Sequence, residues 1–325
     1  MLRIPFEELH GTLAAVLRQL DFSEERASLC ARLFAETTRD GVYSHGASRF
    51  PRFVRMIRAG RIAVHASPEL VRARGGLERW DGRNGPGNLN AWHSMDRAIA
   101  LARTHGIGAV ALGNTNHWMR GGTYGWQAAD AGCVGVCWTN TMPNMPPWGA
   151  AEARLGNNPL IVAVPRARGH VVLDMAMSPF SYGALASYRA RGELLPVDGG
   201  FDGEGRLTRD PAAIEASGRP LPAGYWKGSG LAILLDMTAA MLAGGLATHQ
   251  IPAEPEREAG LCQFFLAIDP AALGADTAGG IADGIVASLG TRYPGQRTPQ
   301  FREENLALGV PVDPAVWSEI QAMPR

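Results

Sequence analysis

The chain has 325 residues, of which 46% are hydrophobic and 19% are charged. This composition is typical of a globular protein and excludes a disordered or fibrous chain. The 31 basic residues balance the 31 acidic residues, so no net charge attracts the chain to nucleic acid or to an anionic membrane. We therefore expect a small-molecule partner. The length exceeds about 250 residues, which predicts two domains.

The N-terminus and the cysteines indicate where the protein works. Acidic residues at Glu7 and Glu8 stand where a signal peptide would need an apolar run, and no stretch of the sequence reaches membrane-spanning length. We predict a cytoplasmic protein. The cysteines contain no CxxC pair, and we expect all of them to pack in the core without a disulfide or a metal: Cys30, Cys133, Cys137 and Cys262.

The first 60 residues predict helices. Apolar residues recur at helical intervals from Phe6 to Leu20. Asp21, with Glu24 three residues later, has the form of a capping box that would begin a second helix. A third helix is expected after Pro51.

From residue 66 to about 290, short β-rich runs alternate with glycines and helical patterns, which predicts an α/β domain. Strands are expected at 110–112, 134–136, 160–164 and 264–268, and helices at 95–102 and 231–247. The chain after Pro299 resumes a helical pattern near 314–317 and is expected to pack on the N-terminal helices. The predicted domains are therefore a helical one, 1–65 plus 299–325, and an α/β cofactor-binding one, 66–298.

A Rossmann fingerprint is missing from the sequence. No GxGxxG motif follows the first predicted strand, where glycines would admit a pyrophosphate to a helix N-terminus. The tripeptide Gly228-Ser229-Gly230 opens a predicted helix and could bind phosphate with the help of Lys227. An exposed lysine beside a packed Trp226 is the alternative interpretation of that segment.

The segment Ser44–Arg49 combines an imidazole with a guanidinium four residues later. On a helix, His45 and Arg49 would project from one face. Arg49 could hold the carboxylate of an oxo acid by two parallel hydrogen bonds, and His45 could give a proton to the ketone oxygen. Ser44 would also contact the substrate. Taken alone, the segment is more typical of an interhelical turn with a capping histidine.

Two strand ends add further candidates. Asn116 and His117 follow a predicted strand, where loop residues commonly line an active site. A loop histidine beside Trp118 is as typical of packing as of catalysis. The segment Asp174-Met175-Ala176-Met177-Ser178 ends another predicted strand, and its methionines would suit a flat ring such as adenine or nicotinamide. Alternate methionines at strand spacing are also typical of core, and Asp174 could instead cap the next turn.

These segments together resemble the malate/L-lactate dehydrogenase family that lacks a Rossmann fold. The resemblance covers nearly the whole chain and is carried by long matches: Gly41-Val42-Tyr43-Ser44-His45-Gly46, Arg49-Phe50-Pro51-Arg52-Phe53, Asn116-His117-Trp118-Met119-Arg120-Gly121-Gly122, Met145-Pro146-Pro147-Trp148-Gly149-Ala150, Leu195-Pro196-Val197-Asp198-Gly199-Gly200-Phe201-Asp202 and Gly224-Tyr225-Trp226-Lys227-Gly228-Ser229-Gly230.

The resemblance implies a cytoplasmic homodimer of carbohydrate metabolism, with a mixed-sheet, non-Rossmann cofactor domain and a smaller, mainly helical domain. It further implies reduction of the 2-keto group of 2,3-diketo-L-gulonate to 3-dehydro-L-gulonate, with NADH as hydride donor and His45 as proton donor. The family's cofactor positions fall on His170, Val171, Val172, Leu173, Asp174, Met175, Ala176, Trp226, Lys227, Gly295, Gln296 and Arg297.

The chain departs from the family pattern in two places. A family member carries a histidine and a glutamate where this chain has Gln296 and Arg297. Because arginine favours a 2′-phosphate and a carboxylate favours ribose hydroxyls, the change makes NADPH an alternative to NADH. The second departure is Thr141-Met142-Pro143-Asn144, which would affect the substrate if it lines the pocket.

Other functions are compatible with the same residues. Relatives on this scaffold act on malate, lactate, ureidoglycolate or cyclic imino acids. A non-catalytic sugar-acid binding protein would keep the fold without turnover, although it has no need of a proton donor at His45. A metal-dependent hydrolase using His45 and His117 would require bound metal.

Overall fold

The structure, a computed structural model, describes residues 1–167, 169–274 and 278–323. Residues 324–325 of the predicted helical domain, and 168 and 275–277 of the predicted α/β domain, lie outside the described residues. The α-helices of the described chain are α1 Phe6–Arg18, α2 Glu24–Arg39, α3 Phe50–Arg58, α4 Gly87–His105, α5 Gly122–Asp130, α6 Tyr182–Ala190, α7 Pro211–Ser217, α8 Trp226–Ala243, α9 Ala278–Ser288, α10 Thr298–Leu308 and α11 Pro314–Gln321. Its strands are β1 Leu2–Ile4, β2 Glu69–Arg74, β3 Leu77–Asp81, β4 Ile107–Thr115, β5 Val134–Thr139, β6 Leu160–Val164, β7 Val171–Met175, β8 Gly200–Phe201, β9 Leu207–Thr208, β10 Leu261–Ile268 and β11 Val310–Val312.

Seven strands form one mixed sheet in the order β2-β3-β4-β10-β5-β6-β7. Among the described strands of this sheet, only β3 and β4 run parallel, and each other neighbouring pair is antiparallel. A Rossmann fold requires a mostly parallel sheet. The predicted α/β class with a mixed, non-Rossmann sheet is therefore confirmed.

Helices cover both faces of this sheet. The pair α4 and α5 packs on one face around Met95, Leu112 and Phe265, which are fully buried. On the other face, α8 packs through Ala239 and Ala243, whose small side chains allow close approach to β4 and β10. All four cysteines are free and buried in the core, so their predicted role as core residues is confirmed.

A separate hydrophobic core joins the two ends of the chain. Leu13 of α1 and Phe34 of α2 are fully buried in it, and Trp317 of α11, which is 5% exposed, packs in the same core. Strand β1 pairs antiparallel with β11, with Leu2 opposite Val312. The C-terminal segment thus returns to the N-terminal helices, as expected from its helical pattern. The division into two domains at the boundaries given above remains a prediction.

The structure confirms the predicted strands, which lie within β4, β5, β6 and β10, and corrects two helix ends. The capping prediction at Asp21 was wrong, because Ser23 is the N-cap of α2 and its side chain accepts from Arg26 N at 3.4 Å. Asp21 instead has a φ of 64°, in the turn after α1. Helix α8 ends at Ala243 rather than at residue 247, because Gly244 takes the left-handed conformation that ends a helix.

Candidate active site

A cavity of about 1090 Å³ lies between the N-terminal segment and the seven-stranded sheet. Ligand pockets commonly measure about 300–1,000 Å³, so this one has room for a cofactor together with a small substrate. Its walls include residues from 42–52, 117–122, 141–144, 172–176 and 294–298. Segments far apart in sequence therefore meet in one site.

The turn that carries His45 is held against α2. The segment forms two 3₁₀ turns, Tyr43–His45 and Ala47–Arg49, with Gly46 between them, and not the α-helix considered above. A Cβ on Gly46 would overlap Thr38 Oγ1 and lie 2.8 Å from Thr38 N. The same hydroxyl accepts a hydrogen bond from Ala47 N at 2.8 Å. This close approach fixes the backbone on both sides of Gly46, and His45 and Arg49 both line the cavity.

His45 is poised as a neutral imidazole. Burial, followed by the charges of Arg49 and Arg120, lowers the pKa of His45 to about 4. Its Nδ1 lies 2.8 Å from Ser44 Oγ. When the Ser44 hydroxyl donates to Nδ1, the neutral ring carries its proton on Nε2 and can donate a hydrogen bond to a ligand.

His117 stacks on His45, with ring centroids 5.8 Å apart and an interplanar angle of 15°. Its Nδ1 accepts a hydrogen bond from Met119 N at 3.0 Å. Because a backbone N–H can only donate, the neutral ring carries its proton on Nε2. Burial, and then the charges of Arg49 and His45, lower the pKa of His117 well below its usual value. The site thus holds two neutral imidazoles at neutral pH.

Asn116 does not face the cavity. Its side chain is buried, and Nδ2 donates to Asn84 O at 2.8 Å and to Gly85 O at 3.0 Å. Gly87 packs so closely that a Cβ there would overlap the carbonyl oxygens of Asn116 and His117. Asn116 therefore anchors the loop that carries His117, and this placement does not support the predicted contact with substrate.

Two arginines and a glutamate form a charged cluster in the cavity wall. Glu258 Oε2 lies 3.9 Å from Arg49 Nη2 and 4.0 Å from Arg52 Nη2. Burial, with the charge of Arg52, lowers the pKa of Arg49 to about 10. Sequence reasoning identified Arg49 but missed Arg52 and Glu258. Arg52 lies in the motif Arg49-Phe50-Pro51-Arg52-Phe53 and could have been predicted as a site residue. No motif surrounds Glu258 in the sequence.

A further arginine links the cavity to a buried carboxylate. Arg120 lines the cavity, and its Nη1 donates to Asp40 Oδ2 at 2.9 Å. Arg302 of α10 donates to the same carboxylate through Nε at 3.1 Å and Nη2 at 2.9 Å. Within the described chain, the buried Nε of Arg120 has no hydrogen-bond partner. Buried polar groups are nearly always satisfied, so this donor marks a place for a ligand acceptor.

The start of α5 lies beside this donor. Gly122 N donates to Asp174 Oδ2 at 2.7 Å, and a Cβ on Gly122 would lie 3.3 Å from Arg120 Nε. Burial raises the pKa of Asp174, although the charge of Arg120 and the bond from Gly122 oppose that effect. Because Asp174 already accepts from the first N–H of α5, the free Nε–H of Arg120 is the donor that favours an anionic ligand group here.

The two predicted cofactor segments at 170–176 and 295–297 are neighbours in space. Val172 N donates to Pro294 O at 3.0 Å, and Gly295 has a φ of 84°. A Cβ on Gly295 would lie 3.1 Å from Val172 N, so only glycine permits this approach. The predicted cofactor residues that line the cavity are Val172, Leu173, Asp174, Ala176 and Gly295.

The other predicted cofactor residues lie outside the described cavity wall: His170, Val171, Met175, Trp226, Lys227, Gln296 and Arg297. His170 Nε2 lies 3.0 Å from Asp130 Oδ1. Trp226 is 62% exposed at the start of α8, beside Lys227. The guanidinium of Arg297 lies over the ring of Phe301, 4.6 Å from its centroid. Cofactor contacts by these residues remain predictions.

The second departure from the family pattern lines the cavity. Thr141, Met142, Pro143 and Asn144 are all in its wall, with Asn157 beside them. Asn144 Nδ2 donates to Asn157 Oδ1 at 3.1 Å, and Asn157 N donates to Asn144 Oδ1 at 2.8 Å. This wall presents amides and a hydroxyl to a ligand, so the departure bears directly on which substrate fits.

The described residues form neither a metal-ligand cluster nor a membrane-spanning helix. No group of three or more His, Cys, Asp and Glu side chains in residues 1–167, 169–274 and 278–323 is arranged to hold a metal ion. No helix of those residues is both long and apolar enough to span a membrane.

The chain is similar to known proteins along its whole length. Residues 4–321 match the protein family described as Malate/L-lactate dehydrogenase. A 2,3-diketo-L-gulonate reductase from Salmonella paratyphi A is 48% identical, with 99% of this chain and 100% of the relative covered.

Solved structures show the same likeness. The delta1-piperideine-2-carboxylate reductase from Pseudomonas syringae pvar. tomato superposes with a TM-score of 0.90 at 26% identity, covering 100% of both chains. The sulfolactate dehydrogenase from Methanocaldococcus jannaschii gives a TM-score of 0.89 at 26% identity, covering 99% of this chain and 96% of the other.

Proposed function

The chain belongs to the malate/L-lactate dehydrogenase family and is an oxidoreductase, and on this premise we propose that it reduces the 2-keto group of 2,3-diketo-L-gulonate to give 3-dehydro-L-gulonate. The observation that carries the proposal is the presence of His45, Arg49 and His117 in the wall of one cavity. The relative that is 48% identical over 99% of this chain bears the name of this reductase.

Arg49 binds the carboxylate of the substrate in this proposal. The guanidinium lines the cavity but lies 3.9 Å from Glu258, outside hydrogen-bond range, so it can still donate to a ligand. A bidentate contact fixes the plane of the carboxylate and therefore the direction of the adjacent ketone. Arg49 and the imidazole of His45 belong to adjacent 3₁₀ turns and line the same cavity, which sets the ketone against the proton donor.

His45 gives the proton to the ketone oxygen. Burial is the main cause of the low pKa of His45, about 4, and the charge of Arg49 adds to it. A bound carboxylate offsets the charge of Arg49, so substrate binding raises the pKa of His45 and favours the protonated ring that acts as the general acid. Ser44 Oγ, 2.8 Å from Nδ1, orients the ring. The neutral His117 holds its own Nε2 proton for a second hydrogen bond to the substrate.

The residues of the cavity fit a nicotinamide cofactor, which family membership implies. The unpartnered Nε of Arg120 suits a phosphate oxygen, and Gly295 leaves space beside Val172. The bound cofactor supplies the hydride. We propose NADH as this cofactor, with NADPH as the alternative because of Arg297.

A second copy of the chain is the proposed partner. The outward face of α8 carries Leu234, Met237 and Met241, which are 58%, 53% and 79% exposed. Exposed apolar side chains aligned on one helix face are typical of subunit interfaces. This face supports the homodimer that the family resemblance implies.

Reduction of another 2-oxo or cyclic imino acid is the alternative function. The piperideine-carboxylate reductase and the sulfolactate dehydrogenase share the fold at TM-scores of 0.90 and 0.89, so the scaffold accommodates several substrates. A non-catalytic sugar-acid binding protein stays a weaker alternative, because it would have no use for a proton donor facing the cavity.

The test is a steady-state assay of the purified protein. NADH and 2,3-diketo-L-gulonate should give cofactor oxidation, and His45→Ala should lower kcat by about 10²-fold or more because positioned proton transfer contributes about 10²–10⁴. Arg49→Lys should raise the KM for the acid more than that for the cofactor. The control His249→Ala alters an exposed histidine outside the cavity wall. No oxidation of NADH or NADPH with any 2-oxo acid would refute the proposal.

A further inference from the structure

Glu258 is a buried carboxylate that faces the ligand side of the cavity. The residue is 4% exposed, and its Oε1 accepts a hydrogen bond from Met142 N at 3.4 Å. Its Oε2 lies 3.9 Å from Arg49 Nη2 and 4.0 Å from Arg52 Nη2. Both distances exceed hydrogen-bond length. Within the described part of the chain, Oε2 therefore receives no hydrogen bond.

The charged cluster carries one more positive charge than negative charge. Arg49 and Arg52 bring two positive charges, and Glu258 brings one negative charge. The exposed Glu256 and Arg55, which also act on Arg52, pair with each other and add no net charge. Buried charges are stable only when paired. One carboxylate from a ligand balances the cluster, and a second carboxylate on the same ligand would meet the negative charge of Glu258.

The wall next to Glu258 is suited to hydroxyl groups. Met142, whose N–H binds Glu258, belongs to the segment that also carries Thr141 and Asn144. The amides of Asn144 and Asn157 face each other in this wall. A carboxylate oxygen without a donor, beside amide groups, is a strong acceptor for a ligand hydroxyl.

We propose that Glu258 determines the substrate class by accepting a hydrogen bond from a hydroxyl in the tail of the substrate. It thereby selects hydroxylated 2-oxo monocarboxylic acids and rejects 2-oxo dicarboxylic acids. This inference rests on the proposed function and names what its site selects. A buried acceptor left unpaired also disfavours substrates without a hydroxyl, because its desolvation is not compensated.

Glu258→Gln tests the inference by changing charge at constant volume. We expect kcat/KM to fall about ten-fold for 2,3-diketo-L-gulonate, because hydrogen bonds to charged groups are worth at least that factor. We expect kcat/KM for oxaloacetate to rise about ten-fold. Glu258→Asp keeps the charge but shortens the side chain, so it should lower kcat/KM for 2,3-diketo-L-gulonate without raising kcat/KM for oxaloacetate. Glu204→Gln, at an exposed position paired with Arg206 and outside the cavity wall, is the control and should change neither value.

A purely structural role for Glu258 in holding the arginines would lower kcat/KM for all 2-oxo acids by the same factor. An unchanged ratio between 2,3-diketo-L-gulonate and oxaloacetate in Glu258→Gln would therefore overturn the inference while leaving the proposed function intact.

A binding experiment tests the role of Glu258 independently of turnover, and therefore independently of the proposed reductase activity. Isothermal titration calorimetry of the wild-type protein should show L-gulonate binding at least ten-fold more tightly than L-malate, and Glu258→Gln should reduce or reverse that preference. This result without any hydride transfer would refute the proposed reductase and support the role of Glu258. Equal binding of the two acids by the wild-type protein would overturn the inference even if Glu258→Gln fails to fold.

Discussion

Replacement of Asp40 by asparagine should destabilise the protein strongly. Asp40 is 5% exposed and accepts hydrogen bonds from Arg39 Nε, Arg120 Nη1 and both Nε and Nη2 of Arg302, at 2.9, 2.9, 3.1 and 2.9 Å. These donors come from α2, the loop before α5, and α10. One carboxylate thus joins the N-terminal helices, the cavity wall and the C-terminal segment.

The burial of the Asp40 ion pairs determines how much stability the substitution should remove. Breaking a buried ion pair by removing one partner costs about 3–5 kcal/mol. Asparagine retains one acceptor oxygen and the side-chain volume, but it turns an N–H₂ group toward arginine donors. We therefore expect Asp40→Asn to lower the free energy of unfolding by about 3 kcal/mol, at the low end of that range.

The stability contributed by Asp40 should decrease at low pH. Burial acts to raise the pKa of Asp40, but hydrogen bonds from Arg302 and the charges of Arg120 and Arg39 outweigh it and lower the pKa below 3.8. The carboxylate therefore stabilises the fold fully above pH 3.8, and this contribution is lost as the pH falls through the lowered pKa. The difference between the wild-type protein and Asp40→Asn should shrink in that window.

Urea unfolding followed by tryptophan fluorescence measures the loss. The matched control is Glu152→Gln, which removes a carboxylate 2.7 Å from Arg154 at a site where the two side chains are 74% and 70% exposed. Exposed pairs contribute about 0–1 kcal/mol. A loss for Asp40→Asn no larger than that of the control would refute the view that this network holds the chain ends to the site.

Four further outcomes are expected. NMR of the imidazole nitrogens should show His45 neutral down to about pH 4, and Arg49→Met should raise its pKa by removing a positive neighbour. Gly46→Ala should lower kcat without loss of cofactor binding, in steady-state kinetics and fluorescence titration, because its Cβ would displace the turn from Thr38. Arg297→Glu should lower kcat/KM for NADPH by up to about five-fold, with that for NADH unchanged, since one exposed charge pair is worth about 1 kcal/mol at most. Met241→Glu should give a monomer in sedimentation velocity, and an unchanged dimer would place the interface elsewhere.

Local patterns explain what the sequence predicted about the fold. The run 160–164 coincides with β6, and its side chains alternate between buried and half-buried as the pleat requires. The cap of α2 was misplaced because Asp21 and Ser23 are both good capping residues. The choice between them depends on the turn from α1, in which Asp21 is left-handed. Residue types alone do not predict that turn geometry.

Local patterns likewise predicted some residues of the candidate site and missed others. His45, Arg49 and His117 stand in recognisable segments, so their chemistry could be predicted before their placement was known. Glu258 and Asp40 act only through partners far away in sequence, and Asp40 lies 262 residues from Arg302. No period or motif connects such positions, and only the folded chain brings them together.

His45 and Arg49 line the same cavity, but by a geometry that differs from the predicted helix face. On an α-helix, residues four apart share a face, whereas 3₁₀ turns advance about 120° per residue and place such residues about 120° apart. The backbone leaves the helical region at Gly46, with φ of −96° and ψ of −132°, and Thr38 holds the following turn. With this break between the two turns, both side chains line the cavity. A sequence with alanine at position 46 would keep the helical pattern and the two chemical groups, but the turn that brings the proton donor and the carboxylate anchor to one ligand would be lost.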